Sequence, residues 1–353
     1  MRRLAMLKSL CSCGISRRNF LGGIAGVGAS TLLPALAADS VIQGSKNRID
    51  THHHFFSPGL NAMMTEKKVI QGPAINWSVQ KTLDDMDAAG TATSILSATT
   101  PQVSFLDEEL AKKYARENNE YAAKLRSDHK GRFGSFAMLP MKNMDDALKE
   151  LEYALDVLKA QGIGLLTSYG DKWLGHPMYA PLMQEINRRG AILYTHPTSA
   201  NCCNNLIPNT PPTVVEYGTD TTRTIVDIVF SGTAAKNPNI KFIFSHAGGT
   251  LPFLTERLEK MPVLDPKLKE KVPNGVLYEL KRFYYDTAWA ANQYTIPSLL
   301  QLVNKDQVLF GSDYPYRTSE DNIRGLIQYG FNATELNQIT RGNALKLMPS
   351  LNT

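Results

Sequence analysis

Four short apolar segments of this sequence end in residue types that bind metal ions. The motifs are D-T-H-H-H at 50–54, Y-T-H at 194–196, F-S-H at 244–246 and G-S-D at 311–313. Imidazole nitrogens combined with a carboxylate oxygen form a mixed site suited to Zn²⁺, or to Mn²⁺ and similar divalent ions. If these residues meet, a coordination position remains open for water or substrate. The pattern therefore predicts a metal-dependent active site.

The spacing within the first motif decides which of its histidines can share a site. Residues two apart on a β-strand lie on the same face, so His52 and His54 can both project inward while His53 points toward the helix layer. We interpret His53 as structural. His129 and His176 do not end a strand, and we exclude both from the metal site.

Apolar and β-branched runs alternate with helical patterns from residue 48 onward. We predict eight strands, at 48–55, 91–98, 132–139, 162–168, 191–196, 241–246, 283–287 and 308–313. This alternation requires a parallel sheet, and eight such units closing on themselves form a (β/α)8 TIM barrel. A doubly wound open sheet is the alternative. In a barrel, the carboxyl ends of the strands form the catalytic face, and all four motifs would lie there.

Residue types that begin and end helices occur between the strands. Ser78 can cap a helix that ends at Gly90, and Asp107 can cap one that ends near Gly131. We predict loops or short insertions for the long tracts at 56–77, 197–219 and 261–280. The first two follow strands one and five on the catalytic face.

The first 37 residues have the order of an export signal. The basic motif S-R-R-N-F-L at 16–21 precedes a small apolar run at 22–33 and then A-L-A at 35–37. This order resembles a twin-arginine signal peptide. We predict cleavage after Ala37, a single mature domain at 38–353, a periplasmic location and no stable membrane insertion after cleavage. An uncleaved membrane anchor is the alternative.

Cysteine use argues against a disulfide framework. Cys11 and Cys13 lie within the predicted signal, which leaves the adjacent Cys202 and Cys203. A bridge between neighbours would hold two Cα atoms about 3.8 Å apart, closer than in most disulfides. We predict two free thiols in a loop.

The composition is that of a globular protein with a neutral body. Hydrophobic residues make up 43% of the chain and charged residues 20%, which excludes a disordered or coiled-coil protein. Five of the 38 basic residues precede residue 38, where there is no acidic residue, so the rest of the chain balances its 33 acidic residues. The charge gives no reason to expect a nucleic-acid partner.

Longer motifs around these residues resemble a known superfamily. D-T-H-H-H, T-H-P, S-H-A-G-G-T-L-P-F and G-S-D-Y-P are similar to motifs of the amidohydrolase superfamily, in the group related to aminocarboxymuconate semialdehyde decarboxylase. The resemblance extends from about residue 48 to 349 and implies a barrel of the metal-dependent hydrolase type. Segments around 77–87, 119–122, 132–134 and 164–171 look most like 6-methylsalicylate decarboxylase-like proteins.

The resemblance also implies a role for each motif residue. His52, His54, His196 and Asp313 would be metal ligands, Asp313 would also transfer a proton, and His246 would be an acid/base residue beside the metal. Binuclear relatives carry a carboxylated lysine at the end of strand four. That strand here has no lysine at its end, so we expect one divalent ion, Zn²⁺ first and Mn²⁺ as the alternative.

An arginine after strand six bears on the substrate and on assembly. In the semialdehyde decarboxylase an arginine at the place of Arg257 binds a substrate carboxylate in the neighbouring subunit's site, which implies a homodimer. The alternative is a solvated helix arginine paired with Glu256 or Glu259. The family's other carboxylate-binding arginine is missing from 69–76, which favours a substrate with a single carboxylate.

Several aromatic residues lie at or just beyond strand ends. Phe55 and Trp289 are our preferred substrate-binding candidates, ahead of Tyr169 and Trp173, because a ring there could stack on an aromatic substrate. All four could equally pack at the rim of the barrel.

These observations lead to one functional hypothesis with two alternatives. We expect a metal-dependent, non-oxidative carboxy-lyase that releases CO₂ from a small hydroxyaromatic or unsaturated carboxylic acid, similar to 6-methylsalicylate. The first alternative is hydrolysis of a lactone or related ester by the same site. The second is a periplasmic binding protein without turnover.

Overall fold

Eight parallel strands form one sheet in which neighbours in sequence are neighbours in space. The computed structural model describes residues 39–42, 44–70, 72–203 and 206–352. The strands are β1 Arg48–His54, β2 Thr91–Ser97, β3 Phe133–Met138, β4 Gly162–Leu166, β5 Ile192–His196, β6 Lys241–Phe244, β7 Tyr284–Asp286 and β8 Val308–Leu309. Most strand residues are buried, as expected where helices cover a parallel sheet.

The segment after β8 closes the barrel against β1. The Thr51 amide donates to the Phe310 carbonyl at 2.9 Å, and the Asp313 amide donates to the His52 carbonyl at 2.9 Å. The His54 amide donates to the Tyr314 carbonyl at 2.8 Å. The predicted (β/α)8 barrel is therefore confirmed, and Asp313 is brought next to the histidines of β1.

Helices connect the strands and cover the barrel. They are α1 Pro58–Glu66, α2 Gly72–Ile75, α3 Val79–Ala88, α4 Glu108–Asp128, α5 Met144–Glu152, α6 Ala180–Arg189, α7 Glu216–Phe230, α8 Thr233–Lys236, α9 Leu251–Leu264, α10 Pro266–Lys269, α11 Val276–Lys281, α12 Thr295–Leu302, α13 Ser319–Tyr329, α14 Ala333–Asn337 and α15 Asn343–Leu347. Ser78 and Asp107 cap α3 and α4 as predicted, by accepting from the Lys81 and Leu110 amides. The tracts predicted as loops or short insertions contain α1, α2, α10, the last residues of α9, most of α11 and the first turn of α7.

All eight strands are shorter than predicted, and in two of them the difference involves functional residues. β6 ends at Phe244 and β8 ends at Leu309, whereas the sequence pattern placed His246 and Asp313 within those strands. Both residues have a positive φ, 54° for His246 and 68° for Asp313, which a β-strand does not accommodate. Hydrophobic periodicity does not reveal where single residues adopt a left-handed backbone conformation.

The interior of the barrel supports the metal-binding end. One hydrophobic cluster includes Ile49, Phe136, Tyr194, Ile243 and Leu309, all from barrel strands and all at most 2% exposed. The Tyr194 ring lies 5.5 Å from the His52 ring, edge to face. Packing in the barrel therefore reaches the first predicted metal ligand.

The chain divides into two units, 1–41 and 42–353. In the first, only residues 39–41 are described, and they are helical. The predicted signal peptide and its cleavage site after Ala37 lie outside the described residues. Among the helices that the structure does describe, none has both the length and the apolar character needed to cross a bilayer.

Two glycines at equivalent places allow a matched test of how tightly the turns between helices and strands are packed. Gly90 and Gly190 each follow a helix that leads into a strand, with φ of 63° and 59°. A Cβ at Gly90 would overlap the Ser45 carbonyl oxygen, whereas a Cβ at Gly190 would meet nothing within 4 Å. Both alanine substitutions should lose about 1–2 kcal/mol through backbone strain, and Gly90→Ala should lose at least about 1 kcal/mol more because backbone must move.

Urea unfolding of Gly90→Ala and Gly190→Ala checks this expectation. Equal losses of unfolding free energy would show that the backbone at Ser45 does not restrict Gly90.

Candidate metal centre

Three imidazoles and one carboxylate meet at the carboxyl end of the barrel strands. The Nε2 atoms of His52 and His54 are 2.9 Å apart, and they lie 3.0 and 2.8 Å from Asp313 Oδ1. His196 Nε2 lies 3.9 Å from the same oxygen. All four side chains are buried and offer donor atoms within 4.8 Å of one another. The structure therefore brings together the residues that the sequence suggested as ligands.

The other ring nitrogen of each histidine contacts an acceptor. Nδ1 of His52 lies 2.8 Å from Asp286 Oδ2, Nδ1 of His54 lies 3.2 Å from the Ser97 carbonyl, and Nδ1 of His196 lies 2.9 Å from the Pro197 carbonyl. Carbonyls and an ionised carboxylate only accept hydrogen bonds, so each Nδ1 carries the hydrogen. The three Nε2 atoms then lie on the side of Asp313 Oδ1, at 2.8 to 3.9 Å, and a positive charge among these donors, from a proton or a metal ion, would balance their electron pairs. The residues present fit a divalent metal ion.

The pKa shifts show that the site favours positive charge. Burial alone would lower the pKa of His52, but the carboxylates of Asp286 and Asp313 outweigh burial and raise that pKa to about 10. Burial lowers the pKa of His54 and brings that of His196 well below its ordinary value. Burial acts to raise the pKa of Asp313, but the charge of His52 and hydrogen bonds from the histidines bring it well below the ordinary range. Asp313 is therefore ionised, as a ligand must be.

His246 lies beside the ligands but has a different hydrogen-bond pattern. Its ring centre is 4.9 Å from that of His52, and its Nδ1 is 3.0 Å from the Ala288 carbonyl, to which it donates. Nε2 is therefore the nitrogen that can accept or transfer a proton. Burial, with a contribution from His52, lowers the pKa of His246, which favours the neutral ring. A neutral imidazole next to a metal site is suited to acid/base chemistry.

Asp286 is a functional residue that the sequence reasoning did not identify. Its carboxylate is fully buried and accepts from His52 Nδ1 through Oδ2, and from the amides of His246 and Ala288 through Oδ1, both at 3.0 Å. One side chain thus orients a ligand and the loop that carries the acid/base residue. The sequence does contain a signal, because β7 ends in a carboxylate residue just as β1 and β5 end in histidines.

A second group with metal-binding geometry consists of His52, His246 and Asp286. It shares His52 with the first group, and His52 Nδ1 already donates to Asp286. We therefore interpret it as support for the first site.

The end of β4 is the place where binuclear relatives carry a carboxylated lysine. Here the hydroxyls of Thr167 and Ser168 donate to Asp220, and Lys172 is exposed.

Aromatic rings line the metal centre, although only one was predicted. The Tyr316 ring lies 5.9 Å from the His54 ring, and the Tyr217 ring lies 6.0 Å from the His196 ring. Trp289, a predicted substrate-binding residue, donates its indole N–H to Asp313 Oδ2 at 2.6 Å and is 55% exposed. Tyr316 is three residues after Asp313, but nothing in the pattern pointed to its ring.

Phe55, the other preferred substrate-binding candidate, does not reach the site, and this expectation needs correction. Phe55 is 1% exposed and packs with Met86, Leu96 and Phe133 in a hydrophobic cluster outside the barrel. The reason is the alternation that turns His53 outward, since Phe55 continues on the same face. His53 contacts Asp50 Oδ2 through Nδ1 at 2.9 Å and stacks on Tyr314, as its structural interpretation requires.

The remaining candidates lie away from the four ligands. Tyr169 hydrogen-bonds to Gln102, and Trp173 donates to Asp220. Arg257 is exposed on α9. Cys202 and Cys203 are free thiols, as predicted, in the loop after β5.

Comparison with known proteins decides the family. The family model described as "Amidohydrolase" matches residues 49–349. The chain belongs to the amidohydrolase family. Decarboxylase yanB of Aspergillus niger is 38% identical over 323 residues, which is 86% of this chain and 88% of that protein. The 6-methylsalicylic acid decarboxylase of Penicillium expansum is 32% identical over 316 residues, 86% of this chain and 97% of that protein.

Solved structures of this family have the same fold. A crystal structure described as an amidohydrolase II superposes with a TM-score of 0.78 at 27% identity, covering 86% of this chain and 99% of that one. A 2,6-dihydroxybenzoate decarboxylase in complex with 2,6-dihydroxybenzoate gives a TM-score of 0.73 at 21% identity, with the same coverage. The fold is therefore shared over 86% of this chain and 99% of each solved structure.

The role of Asp286 can be tested by removing one negative charge at nearly constant shape. Asp286→Asn should weaken metal binding about 10- to 100-fold, because the amide cannot hold His52 and the His246 loop as the carboxylate does. Asp220→Asn is the control, since Asp220 is also fully buried and accepts several hydrogen bonds outside the metal centre.

Isothermal titration of Zn²⁺ into both metal-free variants and the wild type measures the effect. Equal affinities for Asp286→Asn and the wild type would remove Asp286 from the metal site.

Proposed function

We propose that this amidohydrolase is a metal-dependent, non-oxidative decarboxylase that releases CO₂ from a small hydroxyaromatic carboxylic acid of the 6-methylsalicylate type. One observation carries the proposal. Three Nε2 atoms and one carboxylate oxygen converge next to the neutral His246, in a chain 32–38% identical to named decarboxylases over most of both lengths. The aromatic rings of Tyr217, Tyr316 and Trp289 around this point suit a flat, apolar substrate.

The metal would be held by His52, His54, His196 and Asp313. A divalent ion there supplies Lewis acidity toward the substrate's carboxylate and an adjacent ring hydroxyl. Zn²⁺ is our first assignment, since imidazole nitrogens predominate among the donors, and Mn²⁺ is the alternative. We propose one ion per chain, because all four donors converge on a single point.

The chain's own residues would carry the proton chemistry. Asp313, or His246 through its Nε2, takes up the proton of the substrate's carboxyl group and delivers it to the ring carbon that bears this group. The carbon–carbon bond to that carboxylate then breaks, its electron pair restores the aromatic ring, and CO₂ departs. Burial of the site excludes bulk water and leaves the proton transfer to positioned groups.

The reaction class can be tested with the metal-loaded protein and a panel of acids and lactones. Salicylate-like acids should release CO₂ and yield the product that lacks the carboxyl group, and activity should disappear after chelation and return with added Zn²⁺ or Mn²⁺. Mass spectrometry of the products identifies the reaction. Lactone hydrolysis without CO₂ release would establish the hydrolase alternative, and ligand binding without any product would establish the binding-protein alternative.

The acid/base assignment can be tested by two substitutions. His246→Gln should retain the metal and lower kcat about 100-fold or more, since general acid/base groups contribute that much and His246 is not a ligand. Asp313→Asn should abolish turnover even when excess Zn²⁺ fills the site. His129→Gln, far from the site in sequence and outside the strands, is the control. Unchanged kcat in either of the first two variants would remove that residue from the mechanism.

We also propose a homodimer in which α9 faces the partner subunit. Arg257 is exposed on this helix, and Phe253, four residues earlier, is 89% exposed. An arginine and a large apolar side chain on one helical surface are typical of a protein interface. In that assembly Arg257 would contact the substrate carboxylate in the neighbouring site.

A periplasmic location is the last part of the proposal. It rests on the twin-arginine pattern at 16–21, the apolar run that follows it and the A-L-A motif before residue 38. N-terminal sequencing of the exported protein would reveal cleavage after Ala37.

A further inference from the structure

The last residue of β7 and the short loop after it contact three of the residues that form the metal centre. Asp286 accepts from His52 Nδ1 at 2.8 Å and from the His246 amide at 3.0 Å. The Ala288 carbonyl accepts from His246 Nδ1 at 3.0 Å. Trp289 donates its indole N–H to Asp313 Oδ2 at 2.6 Å. Three of the four positions 286–289 therefore hold one histidine ligand, the acid/base histidine and the carboxylate ligand.

The contact from Trp289 divides the two oxygens of Asp313 between different partners. Oδ1 faces the Nε2 atoms of His52 and His54, at 3.0 and 2.8 Å, while Oδ2 accepts from the indole. A carboxylate can rotate about its χ2 angle through a broad range, and a hydrogen bond to one oxygen limits that rotation. The indole N–H thus keeps Oδ1 directed at the point where the histidine nitrogens meet.

The position of Trp289 is not explained by packing. Its side chain is 55% exposed, and its backbone has a φ of 56°, a conformation that costs a non-glycine residue free energy. The surrounding loop maintains it, since the Ala290 amide donates to the Thr287 carbonyl at 2.9 Å and the Ala288 amide donates to Asp286 at 3.0 Å. The Arg317 guanidinium lies over the indole ring, 5.4 Å from its centre.

From these contacts we propose that Trp289 is a positioning residue whose indole N–H orients Asp313 for metal binding. This role differs from stacking on a substrate, because it uses the nitrogen of the indole and not its face. The inference rests on the proposed metal site, but it concerns metal affinity and needs no substrate. The chemistry at stake is the binding of one divalent cation by a carboxylate held in a single orientation.

Another tryptophan provides a matched control. Trp173 donates its indole N–H to Asp220 Oδ1 at 2.7 Å, so it makes the same kind of hydrogen bond to an aspartate outside the metal centre. Phenylalanine at either position removes the N–H and keeps an aromatic ring. Trp289→Gln is a third variant, because its amide nitrogen can again donate to Asp313.

The experiment is a titration of Zn²⁺, and separately of Mn²⁺, into the metal-free wild type and the three variants, followed by calorimetry. Trp289→Phe should bind the metal about 10-fold or more weakly, as expected when a group that orients a ligand is lost. Trp173→Phe should bind as the wild type does, and Trp289→Gln should recover part of the affinity. With a substrate that is turned over, Trp289→Phe should lower kcat at subsaturating metal while KM for the acid stays unchanged.

Two results would overturn the proposal. Wild-type metal affinity in Trp289→Phe would assign the indole to rim packing or substrate stacking, whatever happens to kcat. An equal loss of affinity in Trp289→Phe and Trp173→Phe would indicate general destabilisation, and circular dichroism melting of both variants would show it. If no acid releases CO₂, the titration still decides the role of Trp289 while the decarboxylase proposal fails separately.

Discussion

One electrostatic constraint governs the catalytic end of this barrel. Electron pairs that face one another at a buried point repel each other unless a positive charge lies between them. Three histidine nitrogens and Asp313 Oδ1 face each other in a buried space, and the opposite nitrogen of each ring is occupied by an acceptor. Such an arrangement is unfavourable without positive charge between the donors. A cation is therefore an expected part of the folded active site. The hydrogen bonds to the Nδ1 atoms orient the three rings so that their Nε2 atoms can bind one cation.

The barrel tolerates unusual backbone geometry to build this arrangement. Nine residues other than glycine have a positive φ in the described part of the chain, and four of them, His246, Ala247, Trp289 and Asp313, lie in the loops that form the site. Each such residue costs about 1–3 kcal/mol, a cost that the well-packed strands beneath can offset. Strain of this kind concentrates where side chains must point in directions that a regular strand does not allow.

Much of this site could be predicted from sequence because parallel strands place their carboxyl ends together. The alternation of side chains paired His52 with His54, and the strand order brought His196 and Asp313 to the same end. The same alternation should have excluded Phe55, which shares a face with His53 and packs outside the barrel. Extending the alternation of side chains one residue beyond His54 would have placed Phe55 outside the barrel and removed it from the substrate-binding candidates.

Asp286 and Trp289 show what the pattern cannot predict. Asp286 ends a strand as His54 and His196 do, but only the folded structure shows that its carboxylate joins His52 to the His246 loop. Trp289 was singled out for its ring, whereas the structure uses its nitrogen. The atoms that a side chain offers are visible in sequence, but the partners of those atoms depend on loop geometry that hydrophobic periodicity does not encode.

The most direct test of this account is the anomalous X-ray scattering of crystals loaded with Zn²⁺ or Mn²⁺. The account predicts a single strong peak per chain, about 2.0–2.2 Å from Nε2 of His52, His54 and His196 and from Asp313 Oδ1. A peak elsewhere in the chain, coordination through the Nδ1 atoms, or a second ion at full occupancy would contradict it.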